Sequence, residues 1–404
     1  MDNVTHALAG TLLAAATCQF VERRQGRTSV AFRRAAFTVG VAMAELPDAD
    51  LAYSGASLGM GKLGYLLHHR GHTHTVLFAI ASALVVWGLA LAIRRDFRPS
   101  VPARALLALS MVSSFSHVLL DFTNSYGVHP WWPVDRRWFY GDAVFIVEPW
   151  LWILALGPLI FIARSKLAHV LFALLLVAIL VAAWRVEMVG TGVAAVLTAG
   201  ALLWTVLARA VPDSRRVALA LTAWLVAEGV FFAMSGLGRR VVRREVGAPY
   251  RDVVLSPFPG NPLCLSALLV TEDGGTYAAT SATVAPLTSL RSASACGASN
   301  REMPEGASAI RRDSPAIEWG NSWSAPVGEL RWLAATHCEV AAALRFMRVP
   351  VWRRAANGDV TLSDLRYGEG GGSFASIVTR AGAPCPHPVP DWEWPRSDIL
   401  GAAP

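Results

Sequence analysis

Of 404 residues, 54% are hydrophobic and only 16% charged, and the mean hydropathy is +0.41, so an ordinary water-soluble globule is excluded and a membrane protein is expected. The formal charge of +7 comes from arginines gathered in short stretches between apolar runs. It is read as membrane topology, and no nucleic-acid partner is expected.

Apolar runs lie at about 4–21, 35–52, 76–93, 105–122, 145–163, 167–184, 189–208 and 217–236, against the roughly 20 residues that one crossing needs. The expected fold is an α-helical polytopic membrane protein of about eight transmembrane helices with a smaller β-rich C-terminal soluble domain. The first, second and fourth runs are weaker because each carries a polar cluster at one end, and a re-entrant or tilted arrangement is the alternative there. Met1 leads straight into Asp2 without a basic region, so the first run is expected to stay in the mature chain.

Basic residues orient the helices. Arg23, Arg24, Arg27, Arg33 and Arg34 follow the first run, Arg94, Arg95, Arg98 and Arg104 the third, Arg164 and Lys166 the fifth, and Arg209, Arg215 and Arg216 the seventh. Every second loop is therefore basic and expected to be cytoplasmic. Residues 53–75, the Trp131–Tyr140 stretch and the turn near Glu187 then face outward, and the tryptophans of 131–140 suit a rim at the lipid headgroups.

Three regions follow: 1–130 with the polar clusters, 131–238 with further spanning helices, and 239–404, where Gly, Pro, Ser and Thr become common. In the last, Leu265–Val270, Tyr277–Val284, Val349–Trp352 and Phe374–Thr379 have strand character, Asp273-Gly274-Gly275 signals a hairpin, and a helix is expected within Pro326–Phe346. The helix count makes this domain extracytoplasmic, although Arg239, Arg240, Arg243 and Arg244 argue the other way. Cys264, Cys296, Cys338 and Cys385 permit three disulfide pairings and lack the spacing of a zinc site, whereas Cys18 is a packing residue.

The chemistry is concentrated in four clusters: Asp2 and His6; Asp48 and Asp50; His68, His69, Arg70, His72 and His74; and His117 with Asp121. Six of the ten histidines fall there, and carboxylates and imidazoles seldom lie near a bilayer core without a function. By the topology above all four clusters meet at the outer face. Asp2/His6 and His117/Asp121 have the four-residue spacing that sets two side chains on one helical face, suited to chelating a divalent ion. The set offers more ligands than one zinc needs, which favours two metals, or one metal with a base and outer partners. Arg70 suits a phosphate oxygen.

Blander readings stand beside these. Asp2 is also a good helix N-cap; His129, His169, His337 and His387 read as packed or surface residues; Asp135, Asp142 and Glu148 are secondary candidates. Ser113, Ser114 and Ser116 are expected to bond back to the preceding turn rather than act as nucleophiles. No phosphate-binding loop is present, and no G-x-G-x-x-G follows a predicted strand.

Taken in order, MDNVTHALAG, PDAD, HHRGHTHT and HVLLDFTNSYG resemble the signature of the bacterial inner-membrane metal-dependent hydrolase family related to YdjM, over about residues 1–130. The resemblance implies a metal, an inner-membrane location and hydrolysis, and assigns no substrate. It carries onto Asp2, His6, Asp48, Asp50, His69, Arg70, His74, His117 and Asp121; His68 and His72 are extra. The expectation is thus a membrane-bound hydrolase with a divalent metal, zinc first, acting on a phosphoester or other ester of a small molecule or lipid. Its expected ligands are Asp2, His6, Asp48, His69, His74, His117 and Asp121, with Asp50 as base and Arg70 as anion binder. The alternative is a non-enzymatic metal binder or ion transporter using the same ligands.

Overall fold

The computed structural model describes residues 1–55, 61–97, 100–297, 308–309, 313–369, 373–380, 382 and 384–403. The membrane part comprises α1 (Asn3–Gln25), α2 (Val30–Glu45), a 3-10 turn at Leu46–Asp50, the short α3 (Leu51–Ser54) and α4 (Gly61–His68), then α5 (Val76–Ile93), α6 (Val101–Phe122), α7 (Pro149–Ile162), α8 (Lys166–Arg185), α9 (Thr191–Ala210) and α10 (Asp213–Val246). Eight of these fall where apolar runs were read. Among the described residues, six (α1, α5, α6, α8, α9 and α10) are long and apolar enough to cross a membrane. The expected count of eight is not reproduced, because α2 stops after 16 residues and α7 after 14.

Side-chain caps start most of these helices. Asp2, Ser29, Thr75, Ser100 and Ser165 each accept a hydrogen bond from a first-turn N–H, satisfying a donor that has no partner within the helix. Pro47 then breaks α2 into the tight turn that carries Asp48 and Asp50. The first and fourth apolar runs, weak in sequence, become α1 and α6. They are less greasy because they lie inside the bundle and carry the polar residues, whereas Leu84, Leu174, Leu202, Leu203 and Leu225 on α5, α8, α9 and α10 stay exposed as a lipid-facing surface.

At the crossing of α1 and α2 the backbones almost touch. A Cβ on Gly10 would lie 2.4 Å from the Gly40 carbonyl oxygen, and one on Gly40 would lie 2.7 Å from that of Gly10. Only glycine allows this approach, which draws the top of α1 toward the turn after α2.

The C-terminal domain begins with β1 (Asp252–Phe258), β2 (Asn261–Asp273), β3 (Thr276–Val284), β4 (Ser308–Ala309) and β5 (Ile317–Pro326), an antiparallel sheet of order β1-β2-β3-β5-β4. Gly274 and Gly275, both at positive φ, close the β2–β3 hairpin with Asp273 opposite Thr276. After α11 (Val327–Thr336) and α12 (Cys338–Ala343) come a three-stranded sheet of β6 (Pro350–Arg354), β7 (Val360–Asp364) and β8 (Ser376–Thr379), and the final turn α13 (Ser397–Leu400). Of the three pairings open in the sequence, the structure has Cys264–Cys296 and Cys338–Cys385, with Cys18 free and buried.

The two parts are tied together. Gly260, in the β1–β2 turn, donates its N–H to Glu148 and accepts from the Trp150 indole at the head of α7. Arg348 reaches both Asp142, below, and Asp252, on β1; Arg239 also pairs with Asp142, and Arg396 with Asp252. The Trp131–Tyr140 stretch is in part a seam with the C-terminal domain and in part exposed. Trp138 and Tyr140 pack against Phe346, Arg348 and Arg366 of the C-terminal domain, while Trp131 stays about half exposed.

Candidate metal centre

Four elements supply the centre. The Pro47 turn presents Asp48 and Asp50, the loop after α4 presents His69, Arg70 and His74, the last turn of α6 presents His117 and Asp121, and α1 presents His6. All eight side chains are buried. Asp48, His74, His117 and Asp121 offer one ligand atom each within 4.8 Å of one another, and so do Asp48, Asp50 and His69, with Asp48 common to both groups.

In the first group His74 Nε2 lies 2.9 Å from Asp121 Oδ2, 3.3 Å from Asp48 Oδ1 and 3.0 Å from His117 Nε2. His117 Nε2 lies 3.4 Å from Asp121 Oδ2 and 3.5 Å from Asp48 Oδ1. The opposite ring nitrogens are committed elsewhere. His117 Nδ1 donates to the Ala44 carbonyl, and His74 Nδ1 donates to Thr73 Oγ1 at 3.0 Å, whose own hydroxyl donates to Asp50 Oδ2 at 2.8 Å. Each ring thus turns its Nε2 toward the carboxylates, the nitrogen that becomes a metal ligand on losing its proton.

Asp50 is an organiser of this set. It accepts from His69 Nδ1 at 2.9 Å, from the Arg70 backbone N–H at 2.9 Å and from Thr73. Arg70 has φ of 60°, a left-handed turn uncommon for a side-chain-bearing residue, held by that N–H bond. Its guanidinium meets Asp121 Oδ1 at 2.9 Å and Asn124 Oδ1 at 3.1 Å and lies over the Tyr126 ring.

His6 stacks on His117 with ring centroids 3.7 Å apart and approaches Asp121 Oδ1 at 3.3 Å. The Met1 amino group also contacts Asp121. Asp2 is not brought into either group: its carboxylate accepts from the Thr5 N–H and hydroxyl and so caps α1. The two extra histidines face the C-terminal tail. His68 Nε2 meets the Pro388 carbonyl, and His72 sits between Trp132 and Trp392.

The secondary candidates have other partners. Asp135 pairs with Arg137 at the surface, Asp142 with Arg348 and Arg239, and Glu148 caps α7. His129 is packed between Trp138 and Trp392. Ser116 bonds back to the Ser113 carbonyl. Thr73, Asn124 and Tyr126 were not singled out in the sequence, although each lies inside one of the quoted motifs.

The donor set fits a divalent cation. Asp48 Oδ1 and Asp121 Oδ2 face the Nε2 atoms of His74 and His117, and both His6 ring nitrogens lack a well-formed hydrogen bond, a buried arrangement that a cation would compensate. Burial alone would lower the His74 imidazole, yet Asp121, Asp48 and Asp50 hold it up to about 10, a measure of how strongly this point favours positive charge. Imidazole and carboxylate donors in this number suit zinc and similar first-row ions.

Residues 1–190 match the YdjM inner membrane protein family, a stretch that contains every residue of the centre and bears out the resemblance carried by the four motifs. No curated protein and no solved structure matches the chain. Six helices among the described residues are fit to cross a bilayer, and the matched family is an inner-membrane one.

Proposed function

We propose that the chain is a membrane-bound hydrolase whose divalent metal, zinc first, is held by Asp48, His74, His117 and Asp121 with His6 alongside, and that it cleaves a phosphoester or other ester at the extracytoplasmic face. The observation that carries this reading is the convergence of two Nε2 atoms and two carboxylates in a buried space, with the outer ring nitrogens already committed. A divalent ion there supplies Lewis acidity and brings the pKa of water toward about 7.

The remaining roles belong to the chain. Asp50, with its oxygens occupied by His69, Arg70 and Thr73, orients the neighbouring histidines rather than serving as the base expected of it. His69, at the edge of a cavity and fixed through Nδ1, is left to take the proton of the attacking water and return one to the leaving oxygen as the ester bond breaks. Arg70 holds the substrate anion. Two disulfides in the C-terminal domain support an oxidising compartment for it, and Trp392 of that domain bonds the Leu67 carbonyl beside the centre, so both share one side.

The test is elemental analysis of the purified protein with a panel of soluble phosphoesters and carboxylic esters. About one to two divalent ions per chain and metal-dependent release of product are expected, and His117→Ala is expected to lose both. Absence of metal from wild type would remove the reading. Metal-dependent ion flux in proteoliposomes without product would transfer it to ion carriage.

A further inference from the structure

Beside the centre lies a cavity of about 1050 Å³, large even for a small-molecule site. Its polar end is formed by Asp48, His69 and Arg70, with Lys62 also on the wall. Another part is apolar: Leu51, Ile146, Val147 and Met188 line it, and each keeps at least about a third of its surface exposed.

The origin of those four residues matters. Leu51 opens α3 just beyond α2, Ile146 and Val147 lead into α7, and Met188 lies in the turn joining α8 to α9. All are at helix ends, and Met188 joins two helices long enough to cross a bilayer, where hydrocarbon gives way to water. Open apolar surface there is unfavourable against water, at roughly 25 cal/mol per Å², and favourable against hydrocarbon. Phe258 and Phe374 of the C-terminal domain also line the cavity, so it continues under that domain.

We propose that this cavity binds a phosphate-bearing lipid. The phosphoryl group lies against Arg70 beside the metal ligands, and the hydrocarbon chain runs along Leu51, Ile146, Val147 and Met188. The Arg70 guanidinium matches the phosphate, and the open apolar wall matches a chain entering from the membrane surface. A water-soluble phosphoester would satisfy only the first. The proposal rests on the hydrolase reading for what happens to the ester, and on the cavity alone for what binds.

The test uses full-length, as-purified protein in detergent and three probes resistant to hydrolysis: hexadecylphosphonate, methylphosphonate and hexadecanol. Native mass spectrometry reads the adducts. Hexadecylphosphonate is expected to bind at least about tenfold more tightly than either of the others. Met188→Glu and Val147→Glu are each expected to weaken it about tenfold with metal content unchanged, whereas Met188→Leu keeps it. Methylphosphonate binding as tightly would show that the apolar wall is unused, and hexadecanol binding as tightly would show that phosphate is not read. Either result overturns the proposal, as does unaltered binding in both Glu variants. If the long phosphonate binds as stated and no ester is cleaved, the hydrolase reading fails and the lipid site stands. If soluble esters are cleaved and the long phosphonate does not bind, the lipid site fails alone.

Discussion

His69, His74 and His117 are each governed by the partner of the far nitrogen, and Asp50 sits behind two of them, directly at His69 and through Thr73 at His74. Asp50→Asn is therefore expected to raise the metal dissociation constant by about 10- to 100-fold, read by competition with a chromophoric chelator. Asp2→Ala should behave differently: about 1 kcal/mol of stability lost with its cap, and metal content retained. The four-residue spacing read in the sequence holds at His117 and Asp121, on one face at the end of α6. It does not carry over to Asp2, which has φ of −78° and ψ of 153°, outside the helix where the spacing rule applies. His68 and His72 have the same spacing but share no helical face, because the left-handed Arg70 lies between them. A local pattern shows which residues share a face only where the backbone is known to be helical.

Among the elements, the crossing of α1 and α2 sets the position of half the centre. Gly40→Val would force a side chain onto the Gly10 carbonyl and is expected to cost about 1–3 kcal/mol and to reduce bound metal, since the top of α1 would move away from the Pro47 turn. Gly88→Ala on α5 is the control: nothing lies within 4 Å of the added Cβ, and a small gain in melting temperature is expected. Thermal melting and metal content of the two variants test the pair. The strongly apolar helices and the β2–β3 hairpin were legible because long hydropathic runs and a Gly-Gly turn are local signals. Strands β1, β5 and β7 were not: β1 contains Pro257, β5 contains Gly320, Asn321 and three serines or prolines beyond them, and β7 has five residues. Their strand form is imposed by neighbours in the sheet.

At the scale of the molecule, the ion network of Asp142, Arg348, Asp252, Arg239 and Arg396 fastens the C-terminal domain to the helices. It also accounts for Arg239, which appeared in the sequence as a charge on the wrong side. Burial would raise the Asp252 carboxyl, but Arg348, with Arg396 and Arg239, holds it down at about 2. A carboxyl depressed by folding contributes stability that is fully present above its unfolded value of about 3.9 and disappears as pH falls through the folded value. Acidification from about pH 4 to about pH 2 is expected to remove about 2 kcal/mol through this group. Tryptophan-fluorescence melting should show the loss in wild type and a flatter profile in Asp252→Asn.

The hold of Trp392 on the loop beside the centre has a consequence for how the protein is made. The indole bonds the Leu67 carbonyl and stacks on His129, which itself meets the Arg70 carbonyl. Every candidate ligand has been polymerised once residue 121 is added, yet the clamp on their loop is made some 270 residues later. On the proposed metal reading, loading of the ion is expected to be a late event in biogenesis, completed after the tail has folded back over a bundle made long before it.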